Sequence, residues 1–94
     1  MTSVIIGTTV VSRSPSVVTA NVEGELMMMS IVHGRYWNLD DVGTDIWQRI
    51  EPPCSFDQLV DALAAAYDAE RATIAADVQA LLQRMLAEDV IRLT

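Results

Sequence analysis

Lysine is absent from this chain of 94 residues, which sets six Arg against thirteen Asp and Glu for a formal charge of −7. A protein that grips nucleic acid or an anionic membrane gains affinity by neutralising phosphates with basic groups, so this balance argues against both as partners. It suits a neutral or basic polypeptide, although acidity can also serve solubility alone. Cysteine occurs once, as Cys54, and histidine once, as His33. The first excludes an internal disulfide and the second excludes most transition-metal sites, so neither a metal nor a cofactor is expected. The N-terminal stretch "MTSVIIGTTVVSRSPS" has no basic residue ahead of its apolar run, and Gly7, Thr8 and Thr9 break that run. Neither a signal peptide nor a membrane span is expected, and a reducing cytoplasm is the default. Gly-rich phosphate loops, CxxC, HExxH and GxSxG are all missing. His33 and Cys54 could pair as base and nucleophile only if the fold joined a turn to a loop after two prolines. We read them instead as a turn residue and a residue packing ahead of a helix cap. The chain is read as non-catalytic.

Apolar residues are abundant, at 51%. At this length one core can form, so the chain is expected to be a single domain over residues 1–94, with part of its apolar surface kept for a partner. The first half reads as strands. After an optional strand at Val4 to Val11, closed by "RSPS", come two Gly-containing turns, Glu23-Gly24 and His33-Gly34, flanked by strand formers. The expected meander runs Val17 to Val22, Glu25 to Ile31 and Arg35 to Leu39. If both turns are two residues long, Val22 faces Glu25, Met29 faces Asn38 and Ile31 faces Tyr36. One face then carries Val18, Ala20, Val22, Met27, Met29, Ile31 and Tyr36, and the other Leu26, Met28, Val32, Trp37 and Leu39. Both faces are apolar, so the N-terminal strand, a partner or a second copy is expected to cover one of them; a homodimer is allowed. Met27-Met28-Met29 either fills both sides of an inner strand or offers adaptable binding surface.

From Asp40 the period becomes helical. Asp40 or Asp41 caps a helix burying Val42, Ile46, Trp47 and Ile50, ended by Pro52-Pro53. "SFDQ" (Ser55 to Gln58) is a capping box, opening a helix that buries Phe56, Leu59, Val60, Leu63 and Tyr67. A third helix, about Arg71 to Glu88, carries the stripe Ile74, Val78, Leu81, Leu82, Met85 and Leu86, and "VIRL" ends extended. The fold class is α+β: an N-terminal three-stranded antiparallel sheet followed by a three-helix bundle. Most carboxylates, Glu88 and Asp89 among them, read as solvated faces or caps. Asp77 sits one position off the apolar stripe, either at the rim of a groove or simply on the surface.

The stretch "SIVHGRYWNLDDVGTDIW" gathers the only His, both Trp and one of the two Tyr at one strand-to-helix junction. In a meander without crossovers the third strand, "RYWNL", lies at an edge, and it carries one charge and no Pro. Natural proteins usually blunt such edges, and an edge left competent suits peptide recognition by strand addition. Tyr36 and Trp37 could wall a pocket, each anchor being worth roughly 1.5–3 kcal/mol when buried, or they could be ordinary core. They point to opposite faces and cannot both serve one groove.

These segments in order, "GRYWNLDDVGTDIW", "SFDQLVDALAAAYD" and "IAADVQALLQRMLAEDVIRL", resemble the PqqD-type winged-helix domain over about Val17 to Leu93, leaving residues 1–16 as an extra strand or arm. The resemblance implies a winged helix-turn-helix fold that recognises leader peptides of ribosomally made, modified peptides. It implies a leader added as a strand on Arg35, Tyr36, Trp37, Asn38 and Leu39, with Asp77, Leu81, Arg84 and Met85 on the helix side of the groove. In the lasso-peptide branch, to which we lean, the bound precursor passes to a leader protease and a cyclase. In the pyrroloquinoline quinone branch it is presented to a radical-SAM enzyme. A winged-helix DNA-binding regulator is the alternative from another class, opposed by the charge balance. Where such domains often carry Gly near the end of the third helix, this chain reads "AEDV".

Overall fold

The computed structural model describes residues 4–94, so the start of the N-terminal run lies outside the described residues. The elements follow in the order β1 (Val10–Arg13), β2 (Val17–Val22), β3 (Glu25–Ser30), β4 (Arg35–Leu39), α1 (Asp41–Arg49), β5 (Cys54–Ser55), α2 (Phe56–Tyr67), α3 (Arg71–Ala87) and β6 (Ile91–Leu93). This is the expected α+β order, with β2-β3-β4 as an antiparallel meander.

The first hairpin turns on Glu23-Gly24 alone, with Val22 opposite Glu25. Both turn residues have positive φ, 54° and 85°, the requirement of the tight hairpin turn whose twist matches that of its strands. The second turn differs from the expectation. Ser30 pairs with Arg35, so the loop is Ile31 to Gly34, and Met29 faces Tyr36 rather than Asn38. Only Gly34, at φ 64°, takes the left-handed conformation there; its N–H closes the loop onto the Ser30 carbonyl at 2.9 Å. The pairing is displaced by two residues, one full side-chain period, so the two faces are preserved. Ile31 and Val32 leave the sheet for the loop and are exposed.

The faces do not share one fate. Met28, Ser30 and Leu39 are buried against the helices, with Leu26 and Trp37 partly buried beside them. Val18, Val22, Met29 and Tyr36 lie exposed on the other side. The N-terminal strand does not cover them. It is shorter than expected and begins at Val10, after a turn at Gly7-Thr8. It forms a second three-stranded sheet, β5-β1-β6, pairing with Cys54 and Ser55 on one side and with Ile91 to Leu93 on the other. Arg13 at its end stacks over the Trp47 ring, 4.5 Å from the centroid, and donates to the Trp47 carbonyl at 2.6 and 3.0 Å, anchoring the sheet to α1.

Asp40 caps α1 by accepting the Gly43 N–H at 2.7 Å. Ser55 and Gln58 complete the capping box of α2. Ile46 and Trp47 of α1 with Ile50 at its C-terminal cap, Phe56, Leu59, Val60 and Leu63 of α2, and Val78, Leu82 and Met85 of α3 build one core with Met28, Leu39, Val11, Val90 and Ile91. Two expected core residues lie outside it. Val42 and Tyr67 are each 41% exposed, Val42 in the first turn of α1 and Tyr67 at the last residue of α2, where less neighbouring structure covers a helix. Beyond α3, Asp89 adopts φ 60°. It takes the left-handed position at the helix end that Gly commonly fills and that Asp tolerates better than most residues.

Candidate functional site

Strand alternation places Arg35, Trp37 and Leu39 on the helix-facing side of β4 and Tyr36 and Asn38 on the other. On α3, Leu81, Arg84, Met85 and Glu88 recur at i, i+3, i+4 and i+7, one helical face. The two rows oppose each other across a groove of about 400 Å³, floored at one end by Asp40 and Gly43 of the α1 entry. Gly43 fits closely there: a Cβ would come to 3.2 Å from both the Asp40 carboxylate and the Leu39 side chain, so a larger residue would press on the cap that turns the chain from strand to helix.

The open edge of β4 has a defined polarity. Ile31 donates to the Ser16 carbonyl at 3.0 Å, which makes Ile31 and Ser16 a hydrogen-bonded pair in the β2–β3 ladder. Alternation then turns the N–H and C=O of Met29 and Met27 toward β2 and those of Ser30, Met28 and Leu26 toward β4. Their partners Arg35, Trp37 and Leu39 spend their backbone groups on β3. Tyr36 and Asn38 direct theirs to the open edge.

Arg35, Trp37, Asn38, Leu39, Leu81, Arg84 and Met85 are therefore gathered on one groove. Tyr36 reaches the site through its backbone only; its ring is 68% exposed on the opposite face. The Asn38 side chain turns away too and donates to Glu25 at 3.1 Å. Asp77 lies in an adjoining cavity of similar volume, lined by Val42, Ile46, Leu63, Tyr67 and Ile74 and sharing Asp40, Gly43 and Leu81 with the groove. At its margin the Tyr67 hydroxyl donates to Asp45 at 2.8 Å. That bond, chiefly, holds the phenol pKa above its ordinary value.

Glu88 corrects the reading of it as a solvated cap. Its side chain is only 19% exposed and pairs with Arg35 at 3.1 Å. Next to it His33 meets Asp89 at 2.8 Å. Asp40, Gly43, Ala87 and Glu88 belong to the groove and were not foreseen. For Glu88 the sole sequence signal was its position seven residues after Leu81. Cys54 is partly buried, its thiol pushed up by that burial and directed at the Arg49 carbonyl at 3.8 Å. It lies 21 positions from His33 in sequence and outside the groove. Of the two Arg on α3, Arg71 is engaged by Asp57 at 3.0 Å and Asp61 at 2.7 Å. Among the described residues no cluster of His, Cys, Asp and Glu is arranged to hold a metal ion, and no helix is long and apolar enough to cross a membrane.

The chain spans less than half the length of a curated relative it matches. That relative is a PqqA binding protein of Rhodopseudomonas palustris (strain ATCC BAA-98 / CGA009), 43% identical over 44 residues, or 47% of this chain and 43% of that protein. Two solved structures share the fold over nearly their whole lengths. TbiB1 in complex with the TbiA(beta) leader peptide aligns with a TM-score of 0.78 at 28% identity, over 86% of this chain and 94% of that one. Lasso peptide synthetase B1 complexed with the leader peptide aligns with a TM-score of 0.76 at 22% identity, over 87% and 96%. The model of coenzyme PQQ synthesis protein D matches residues 25–91, and the chain belongs to this PqqD family.

Proposed function

We propose that this chain captures the leader of a ribosomally made precursor peptide by adding it as a strand to β4 and seating it against α3. The observation that carries this reading is the open edge of β4 lying beside a groove that continues onto a helix. Tyr36 and Asn38 supply the backbone ladder, which accepts any extended peptide. Trp37, Leu39, Leu81 and Met85 form the apolar walls that choose among side chains. Arg35 and Arg84 form a charged rim, and Asp77 extends the surface into the adjoining cavity. The winged helix-turn-helix description fits this use, α3 serving as a groove wall rather than a DNA-reading helix; Arg71 is already held by two carboxylates. No covalent chemistry is assigned to the groove. Its effect is to raise the concentration of the tethered core peptide at the processing enzymes. The lone Cys54 suits a reducing, cytoplasmic setting.

Within this function we take the lasso branch, in which a leader protease and a cyclase receive the bound precursor. The "GRYWNL" strand supports it, and the match to the PqqA binding protein stops short of half that protein. The 43% identity within that stretch favours the second reading, presentation to a radical-SAM enzyme of quinone synthesis. Calorimetry with the leader of the neighbouring precursor gene tests binding, with saturable one-to-one heat expected. Absence of binding by a folded sample contradicts the function. Acceleration by this chain of leader removal by a transglutaminase-like protease selects the lasso branch, and acceleration of a radical-SAM reaction selects the other.

A further inference from the structure

Trp37 and Glu88 both line the groove, and each carries a polar atom that is closed to solvent and has no hydrogen-bond partner among the described residues: the indole Nε1 of one and Oε2 of the other. One is a donor and the other an acceptor, contributed from opposite walls, β4 and the end of α3. Buried polar groups in folded proteins are almost always paired, so two orphans on one groove call for an explanation. We propose that they form a specificity subsite for a neutral peptide side chain that both accepts and donates, a hydroxyl or a primary carboxamide. The proposal rests on the leader-binding reading and names what that groove selects.

The chemistry of the walls narrows the choice. A Lys or Arg of the peptide could donate to Glu88 but would leave the indole N–H unanswered, and it would enter beside Arg35 and Arg84. An Asp or Glu could accept from the indole but would set a second carboxylate against Glu88. An aliphatic side chain would leave both orphans as they are. A hydroxyl or a carboxamide answers both. The backbone of the added strand is spent on the β4 edge, and Trp37 points off that edge toward the helix, so a side chain on the groove-facing side of the strand is the group that meets it. Entry needs movement on both walls, since neither atom is open to solvent in the free chain. Arg35 pairs with the other oxygen of Glu88 at 3.1 Å while its own side chain is 69% exposed. Such a pair is weak and free to swing outward, uncovering the carboxylate.

Selection of binders from a displayed library of random linear peptides, followed by anisotropy on the winners, tests this. The wild-type chain is expected to enrich Ser, Thr, Tyr, Asn or Gln at one fixed position. Replacing that residue by its apolar isostere (Tyr by Phe, Thr by Val, Gln by Met) should weaken binding roughly five- to ten-fold. Trp37→Phe keeps an aromatic ring and Glu88→Gln keeps the size; against either folded variant the isostere penalty should shrink toward unity. Two outcomes overturn the subsite alone: peptides enriched without such a position, or a penalty unchanged in both variants. No enrichment at all by folded protein overturns the leader-binding reading with it. Hydroxyl-only enrichment and carboxamide-only enrichment both support the subsite and tell its two ligands apart.

Discussion

Arg35 and Glu88 meet at 3.1 Å across one end of the groove, joining the first residue of β4 to the residue that ends α3. The neighbouring contact of His33 with Asp89, 2.8 Å, ties the β3–β4 turn to the same helix end. Each contact has one partner that is largely exposed, Arg35 in the first and Asp89 in the second, and contacts with such a mobile partner contribute about 1 kcal/mol or less. The spacing of strand and helix is therefore held by the packing beneath them, where Met28, Leu39, Leu82 and Met85 are buried. These contacts trim the groove's mouth and are free to rearrange around a ligand.

Adjacent methionines should differ sharply in stability cost. Met28 is 1% exposed and Met29 41%. Met28→Ala should lose about 2–5 kcal/mol, each kcal/mol lowering Tm by roughly 4–8 °C in a domain of this size. Met29→Ala should stay within about 0.5 kcal/mol. Thermal melts decide it, and equal losses would mean that both faces of the meander are covered in solution.

Proline separates the two edges of β4. The N–H of Trp37 belongs to the β3 ladder, so Trp37→Pro breaks the sheet itself and should unfold or severely destabilise the domain. The N–H of Asn38 points to the open edge, so Asn38→Pro should fold. It should weaken leader binding by roughly five-fold or more, the value of one backbone hydrogen bond at about 1 kcal/mol. Circular dichroism and calorimetry on both variants check this; a folded Asn38→Pro chain with full affinity argues against strand addition.

Asp77 is exposed, and its replacement removes no core contact. Asp77→Ala should change stability by less than about 0.5 kcal/mol yet weaken leader binding, if the peptide continues from the groove into the adjoining cavity. Unchanged affinity would confine the peptide to the β4–α3 groove.

The Tyr67 hydroxyl, donating to Asp45, keeps its proton to a pH above the ordinary tyrosine range. A folded pKa above the unfolded one means that its contribution is complete below the unfolded pKa and is lost as pH rises through the folded pKa. Ultraviolet titration should show a late tyrosine ionisation that vanishes in Tyr67→Phe; its persistence in that variant would contradict the assignment to the Tyr67–Asp45 bond.

Much of this arrangement was legible in local chemistry. Glu23-Gly24 named its turn through Gly24, which takes positive φ at no steric cost, and Ser55 with Gln58 named a helix start. Side-chain alternation kept Trp37 and Met28 on one face even though the second turn is two residues longer than expected. What was not legible depends on distant chain. The partners of β1 come from the two residues after a Pro-Pro pair and from the last strand. Val42 and Tyr67 match the helical stripe but lie near helix ends, where little covers them. Glu88 enters the groove because α3 ends opposite Arg35; its spacing seven residues after Leu81 puts it on the right helix face but does not say what that face meets.

The most direct test of strand addition is amide hydrogen exchange by NMR with and without the leader peptide. The account predicts an alternating footprint on β4. Tyr36 and Asn38 gain protection on binding, whereas Arg35, Trp37 and Leu39, already bonded to β3, change little. Saturating peptide that leaves Tyr36 and Asn38 exchanging as in the free chain would contradict strand addition at this edge.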